Sequence, residues 1–148
     1  MKQEEFIKIL DKKGYSYEIE GDKIIVTQDG WFNLRYLTSL PPDVVFKNGG
    51  SVRLDSLTSL PPGVEFRNRG RVYLQLLTSL PSGVMFNNEG DVDLDSLTSL
   101  PPGVVFKNGG SVDLSYLTGE WFDDWKGNIE GIDSKRLLNF MISKGVFI

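Results

Sequence analysis

The chain writes one phrase four times at a fixed interval. LTSLPPDVVFKNGGSVRLDS at 37–56, LTSLPPGVEFRNRGRVYLQL at 57–76, LTSLPSGVMFNNEGDVDLDS at 77–96 and LTSLPPGVVFKNGGSVDLSY at 97–116 align without a gap at a period of twenty. Self-similarity at such a period marks a solenoid, in which each unit is too small to bury its own apolar face and does so by stacking on its neighbours. A 148-residue chain built in this way reads as one domain that grows rung by rung.

Each column of the alignment can be given a physical job. Val64, Phe66, Val72 and Leu74, with their equivalents in the other repeats, alternate with variable or polar residues, the period-2 pattern of strands with one buried face. Leu57 and Leu60 add inward leucines, so a rung offers about six apolar side chains to a stacked core. Pro61, Gly63 and Gly70 mark corners, and Asp43 stands where the other repeats have glycine, a residue type that tolerates positive φ. Asn48, Asn68, Asn88 and Asn108 form a corner column that reads as a structural ladder, each amide bonding to backbone of its own and neighbouring rungs. Two pairings fit these strands. VVFKNGGSVDL also has the form of an Asn-Gly hairpin within one repeat, whereas stacked rungs pair each strand with its equivalent twenty residues away.

The pattern reaches back before its obvious start. IIVTQDGWFNLRYL at 24–37 aligns forty positions before 64–77, placing Ile24 with Val64, Val26 with Phe66, Phe32 with Val72 and Leu34 with Leu74. About five rungs result, a rod roughly 24 Å tall at the strand spacing. Open solenoid ends expose apolar edges, so the flanks should be lids. Residues 1–16 form the first, with Phe6, Ile7 and Leu10 at helical spacing over 3–13 and Lys12-Lys13-Gly14 as a stop; 17–116 are the solenoid. Residues 117–148 form the second, an aromatic turn with Trp121, Phe122 and Trp125 followed by a helix over about 133–143.

The motifs LTSLPxGVxFxNxG and VxLxxLTSLP resemble bacterial leucine-rich repeats of the short, twenty-residue kind, and more closely small repeat proteins of bacteria and phages. The likeness covers about 17–118. It implies a right-handed coil and, for leucine-rich repeats in general, a role in protein recognition. Two strand-like segments per repeat depart from the usual horseshoe and favour a flatter solenoid. The fold class expected is therefore mainly β: a short right-handed β-solenoid or leucine-rich-repeat-like stack of about five rungs, capped by an α-helix at each end.

Composition narrows function chiefly by what is missing. With no histidine and no cysteine there is no Ser-His-Asp or Cys-His pair, no usual zinc site and no thiolate nucleophile. A net charge of −4 argues against general affinity for nucleic acid or an anionic membrane, and no apolar run approaches the roughly 20 residues of a membrane helix. The charged start MKQEEFIKILDKKGYS lacks a signal-peptide core, so the expectation is a cytoplasmic protein that is not an enzyme and carries no cofactor.

If constant columns build the rod, specificity lies in the variable ones. One outward column reads Asn33, Arg53, Tyr73, Asp93, Asp113; a second Arg35, Asp55, Gln75, Asp95, Ser115; a third Trp31, Ser51, Arg71, Asp91, Ser111; a fourth Gly49, Arg69, Glu89, Gly109. Stacking should bring Arg69 against Glu89 and Arg71 against Asp91, either as a surface ion-pair ladder or as a patterned face that orients a protein partner or a second copy of the chain. The candidate partner-binding residues are Arg53, Arg69, Arg71, Tyr73, Glu89, Asp91, Asp93, Asp95 and Asp113. Calcium on Asp91, Asp93 and Asp95 is disfavoured, because alternate residues of a strand lie about 7 Å apart. The expected function is a noncatalytic module for protein recognition through one solenoid face. The alternatives are a structural element of a phage or bacterial particle, or an inhibitor that mimics an acidic surface.

Overall fold

The computed structural model describes residues 1–101 and 103–114. The chain opens with α1 (Gln3–Lys13), whose Phe6 and Leu10 are buried, with Glu4 and Glu5 in the first turn and Lys12 and Lys13 in the last, where they complement the helix dipole. Gly14 ends it at φ 70°, its N–H donating to the carbonyls of Leu10 and Asp11. Eleven short strands follow: β1 (Tyr17–Glu20), β2 (Lys23–Val26), β3 (Phe32–Asn33), β4 (Val44–Phe46), β5 (Val52–Arg53), β6 (Glu65–Phe66), β7 (Val72–Tyr73), β8 (Met85–Phe86), β9 (Val92–Asp93), β10 (Val105–Phe106) and β11 (Val112–Asp113).

The strands sort into two sheets by parity of their place in the repeat. The first runs β1-β2-β4-β6-β8-β10 and the second β11-β9-β7-β5-β3. Every neighbour except the β1–β2 pair is parallel and lies twenty residues away, as in Phe46 with Phe66, Phe66 with Phe86 and Val72 with Val92. The Asn-Gly segments are therefore corners between sheets and not hairpins. Each sheet stacks five parallel strands, so four complete turns separate the first rung from the last. The degenerate stretch is a true rung: Ile24 pairs with Val44, Val26 with Phe46 and Phe32 with Val52.

Both sheets and the leucine-bearing connections close on one core, in which Leu57, Leu60, Val64, Phe66, Val72 and Leu74 repeat along the axis. Phe46, Phe66, Phe86 and Phe106 form a continuous stack with centroids 5.2 Å apart and planes within 8°. The first rung exchanges two columns, with Val26 in the phenylalanine position and Phe32 in a valine position. Phe32 meets Phe46 edge-on at 5.1 Å and reaches Phe6 and Tyr15, so the aromatic column turns toward the lid instead of ending in a gap.

Glycine recurs for two separate reasons. Gly63, Gly83 and Gly103 have φ between 77° and 79°, with Asp43 at 62° in the same column, so the turn after the prolines needs a left-handed residue. At Gly90 the constraint is space, since a Cβ there would lie 2.8 Å from the carbonyl carbon of Gly70 on the previous rung.

The front end closes in three parts. α1 covers the core through Phe6 and Leu10. β1 is not a rung but an antiparallel strand on the edge of the first sheet, its exposed Glu18 and Glu20 discouraging further pairing. The edge of the second sheet is satisfied by one side chain: the Tyr15 hydroxyl donates to the Asn33 carbonyl and accepts from the Asn33 N–H, both at 3.3 Å. The lid helix was legible as an amphipathic pattern, whereas β1 and the Tyr15 cap lie outside the repeat. The aromatic turn and closing helix expected over 117–148 lie outside the described residues.

Candidate functional site

The asparagine column is internal scaffolding. Asn68 is buried, and its amide nitrogen donates to the carbonyls of Gly50 on the preceding rung at 3.0 Å, Gly70 at 3.2 Å and Arg71 at 3.4 Å. Asn48, Asn88 and Asn108 repeat this geometry, and the shared glycine carbonyls link one amide to the next. Gln28 holds the same place in the first rung, donating to the Trp31 carbonyl. The amide oxygens of all four asparagines are buried without a partner among the described residues, so the column is built on donation.

The outward column of the first sheet is largely apolar, with Ile25, Val45 and Val105 buried and Glu65 the one charge among them. Charge variation therefore concentrates on the outer face of the second sheet, where parallel pairing sets Asn33, Arg53, Tyr73, Asp93 and Asp113 side by side. Tyr73 is the hub of this face. The Arg53 guanidinium carbon lies 4.7 Å from its ring centroid and that of Arg71 5.1 Å, both within cation–π range. Arg53 is fixed from the other side by Asp55 at 2.6 Å, and Arg71 by Asp93 at 2.7 Å. These hydrogen bonds to carboxylates push both guanidinium pKa values further up from an already high ordinary value. Asp93 is only 7% exposed, so its pairing with Arg71 compensates a charge largely removed from water.

The expected cross-rung pairs form differently. Arg71 pairs with Asp93, one rung on and two residues along, and not with Asp91. The reason is local: Asp91 Oδ1 accepts the backbone N–H of Ser111 at 2.8 Å, the role that Ser51 Oγ plays for Arg71 N–H. Arg69 and Glu89 are exposed at the corner and form no ion pair among the described residues; the third pair is Arg67 with Glu65, on the first sheet. Asp95 stands half-buried beside this face with one carboxylate oxygen unpartnered, and Asp113 is exposed on the last described strand. Asp91, Asp93 and Asp95 do not converge, and no group of three or more metal-ligating side chains occurs among the described residues.

Three further large side chains are exposed near this face, Trp31 just before β3 and Tyr36 and Leu76 in the turns that follow β3 and β7. Trp31 is 60% exposed, Tyr36 56% and Leu76 52%, and the Lys13 ammonium lies 5.1 Å from the Tyr36 ring centroid. The signal for them was present in the alignment. Trp31 stands in a column that reads serine at 51 and 111, and Tyr36 and Leu76 in one that reads serine at 56 and 96. Large apolar side chains where other rungs have serine serve neither the core nor the corner. Along the axis the face passes from aromatic and basic (Trp31, Arg35, Tyr36, Arg53, Arg71, Tyr73) to acidic (Asp91, Asp93, Asp95, Asp113).

Two classes of side chain thus define a β-solenoid with a patterned outer sheet. In comparisons with known proteins, no family model, no curated protein and no solved structure matches the chain. No helix among the described residues is long and apolar enough to cross a membrane.

Proposed function

We propose that the chain is a noncatalytic recognition module that binds a protein partner through the outer face of the second sheet. The observation that carries this reading is the braced cluster of Arg53, Asp55, Arg71, Tyr73 and Asp93, flanked by the exposed Trp31, Tyr36 and Leu76. Tyrosine, tryptophan and arginine supply most hot-spot energy in protein interfaces, and side chains already held in place lose little entropy on binding. A rod used only as a spacer has no need of large residues on one face where other rungs carry serine. The resemblance of the motif to leucine-rich repeats points to recognition as well.

The test replaces two hot-spot candidates with serine, which the Trp31 column carries at 51 and 111, as Trp31→Ser/Tyr73→Ser, and uses Lys47→Ser, just after β4 in the first sheet, as control. Wild type and the control should retain the same bound protein from the native host, and the face variant should lose it. If the partner is a second copy, light scattering should show the dimer mass for wild type and control and the monomer mass for the face variant. Identical partners and mass for all three would refute recognition by this face and leave the rod as a structural spacer.

A further inference from the structure

The ladder holds two reactive dipeptides. Asn48-Gly49 and Asn108-Gly109 are the Asn-Gly pairs in the chain, whereas Arg69 and Glu89 follow the ladder asparagines of the two middle rungs. In an Asn-Gly pair the glycine nitrogen can attack the asparagine Cγ with little steric opposition, because the attacking residue has no side chain and turns freely. The balance of the step is simple. The new N–C bond expels the amide nitrogen as ammonia, which takes up the proton lost by the glycine nitrogen, and leaves a succinimide. One water then opens that ring at either carbonyl, giving aspartate or isoaspartate, with no redox change.

In the folded rod all parts of this reaction are held. Asn48 has no measurable exposure, and its leaving nitrogen is bound by the carbonyls of Gly30 and Gly50 at 3.0 Å and Ser51 at 3.3 Å. The attacking Gly49 nitrogen donates to the Gln28 carbonyl at 3.0 Å. At the other site Asn108 is 6% exposed and its nitrogen is bound by Gly90, Gly110 and Ser111, while Gly109 N–H donates to Asn88 at 3.0 Å. Attack requires that both nitrogens leave these bonds together and that Cγ rotate toward the following nitrogen, which means opening the corner.

The product would not fit back. Aspartate sets an oxygen against three carbonyl oxygens where the amide donated to them, at a buried site. Isoaspartate adds an atom to the main chain of a corner whose neighbouring rungs keep a register of twenty residues. We propose that Asn48 and Asn108 are latent deamidation sites, sealed while the rungs are stacked and released when they open, so that a transient unfolding event becomes a permanent loss of the fold.

The test ages the full chain at mildly alkaline pH, folded in buffer and unfolded in urea, and follows each asparagine by peptide mass mapping. In urea Asn48 and Asn108 should convert at the rate of a short Asn-Gly peptide, well ahead of Asn68 and Asn88. In buffer both should be slower by on the order of a hundredfold or more, because the reaction then waits for local opening. Gly49→Arg, which copies Arg69 of the next rung, should protect Asn48 in urea and leave Asn108 reactive. Diluting the aged, urea-treated chain should then refold a fraction equal to its unmodified fraction. Conversion of folded Asn48 at the unfolded rate would overturn the seal. Recovery of the parent melting transition by fully converted chains would overturn the trap.

Discussion

Asn68 offers the sharpest quantitative test of the ladder, because its neighbours state what each substitution leaves behind. Asn68→Ala removes one amide nitrogen that serves three carbonyls with two hydrogens. None of those carbonyls is orphaned: Gly50 still accepts from Asn48 and from Gly70 N–H, Gly70 from Asn88 and Gly90 N–H, and Arg71 from Val52 N–H at 2.8 Å. The loss is therefore about two net hydrogen bonds without a desolvation penalty on the partners, about 2 kcal/mol. Asn68→Asp has nearly the same shape but points a carboxylate at the same three oxygens in a site with no measurable exposure. An unpaired buried charge costs more, about 3–5 kcal/mol. The carboxyl will relieve part of this by staying protonated, so its folded pKa lies above its unfolded value. A raised pKa means that stability is present below the unfolded pKa and is lost as pH rises through the folded one. Urea denaturation followed by circular dichroism should rank wild type above alanine above aspartate at neutral pH, with the aspartate variant closing on the alanine variant as the pH is lowered toward 4. If Asn68→Asp matches wild type at neutral pH, or loses ground on acidification, the donation-only reading of the column is wrong.

The two glycine columns should separate in the same rung: Gly83→Ala, with nothing within 4 Å of its added Cβ, meets only left-handed strain of about 1–2 kcal/mol, whereas Gly90→Ala must displace backbone 2.8 Å away and should cost more. Urea midpoints in the reverse order would refute the assignment. At the first rung, Val26→Phe overpacks and Phe32→Val empties, by about 1–3 kcal/mol each, but together they restore the column order of the other rungs. Melting of the double variant should show a smaller loss than the sum of the singles, and strict additivity would disprove the compensation. Tyr17 donates to Asp11 at 2.8 Å, which raises its phenol pKa above the ordinary value. The contribution of this contact is present below the unfolded pKa and fades as pH rises through the folded one. Phenolate absorbance should therefore show one tyrosine titrating late in wild type, and its loss in Asp11→Asn checks the partner.

How much of this could be read beforehand follows from where each constraint resides. Val64, Phe66, Val72 and Leu74 announce their burial because each is repeated under the same demand, and the register of twenty follows from that repetition. The left-handed turn after Pro61 was legible for the same reason, down to the aspartate at 43. Devices used once have no such echo. The hydroxyl of Tyr15 against Asn33 is a long-range hydrogen bond from a residue that looks like linker, and β1 pairs antiparallel where every other strand is parallel. On the candidate face the columns were correct but the partners were not. A stacking rule pairs residues at equal height, whereas a long guanidinium lying over Tyr73 reaches Asp93 and leaves Asp91 to the backbone of Ser111.

That last difference bears on the proposed recognition role. Had Arg71 and Asp91 simply paired along the column, the face would be a row of exposed surface pairs, each worth about 0–1 kcal/mol and easily exchanged for water. The observed arrangement instead ties Arg53, Tyr73, Arg71 and Asp93 across three rungs, with Asp93 almost enclosed. Such a cluster fixes the orientation of the ring and both guanidinium groups in advance, with the Asp93 end of the pair shielded from solvent and the Arg71 end still open to it. The rod supplies what makes this possible, since the parallel register holds successive side chains at a constant spacing that loops do not guarantee. Rigidity and variation are thus divided between the two sides of one strand: at Val72 the side chain locks the stack, and at Tyr73, the next residue, it organises the surface.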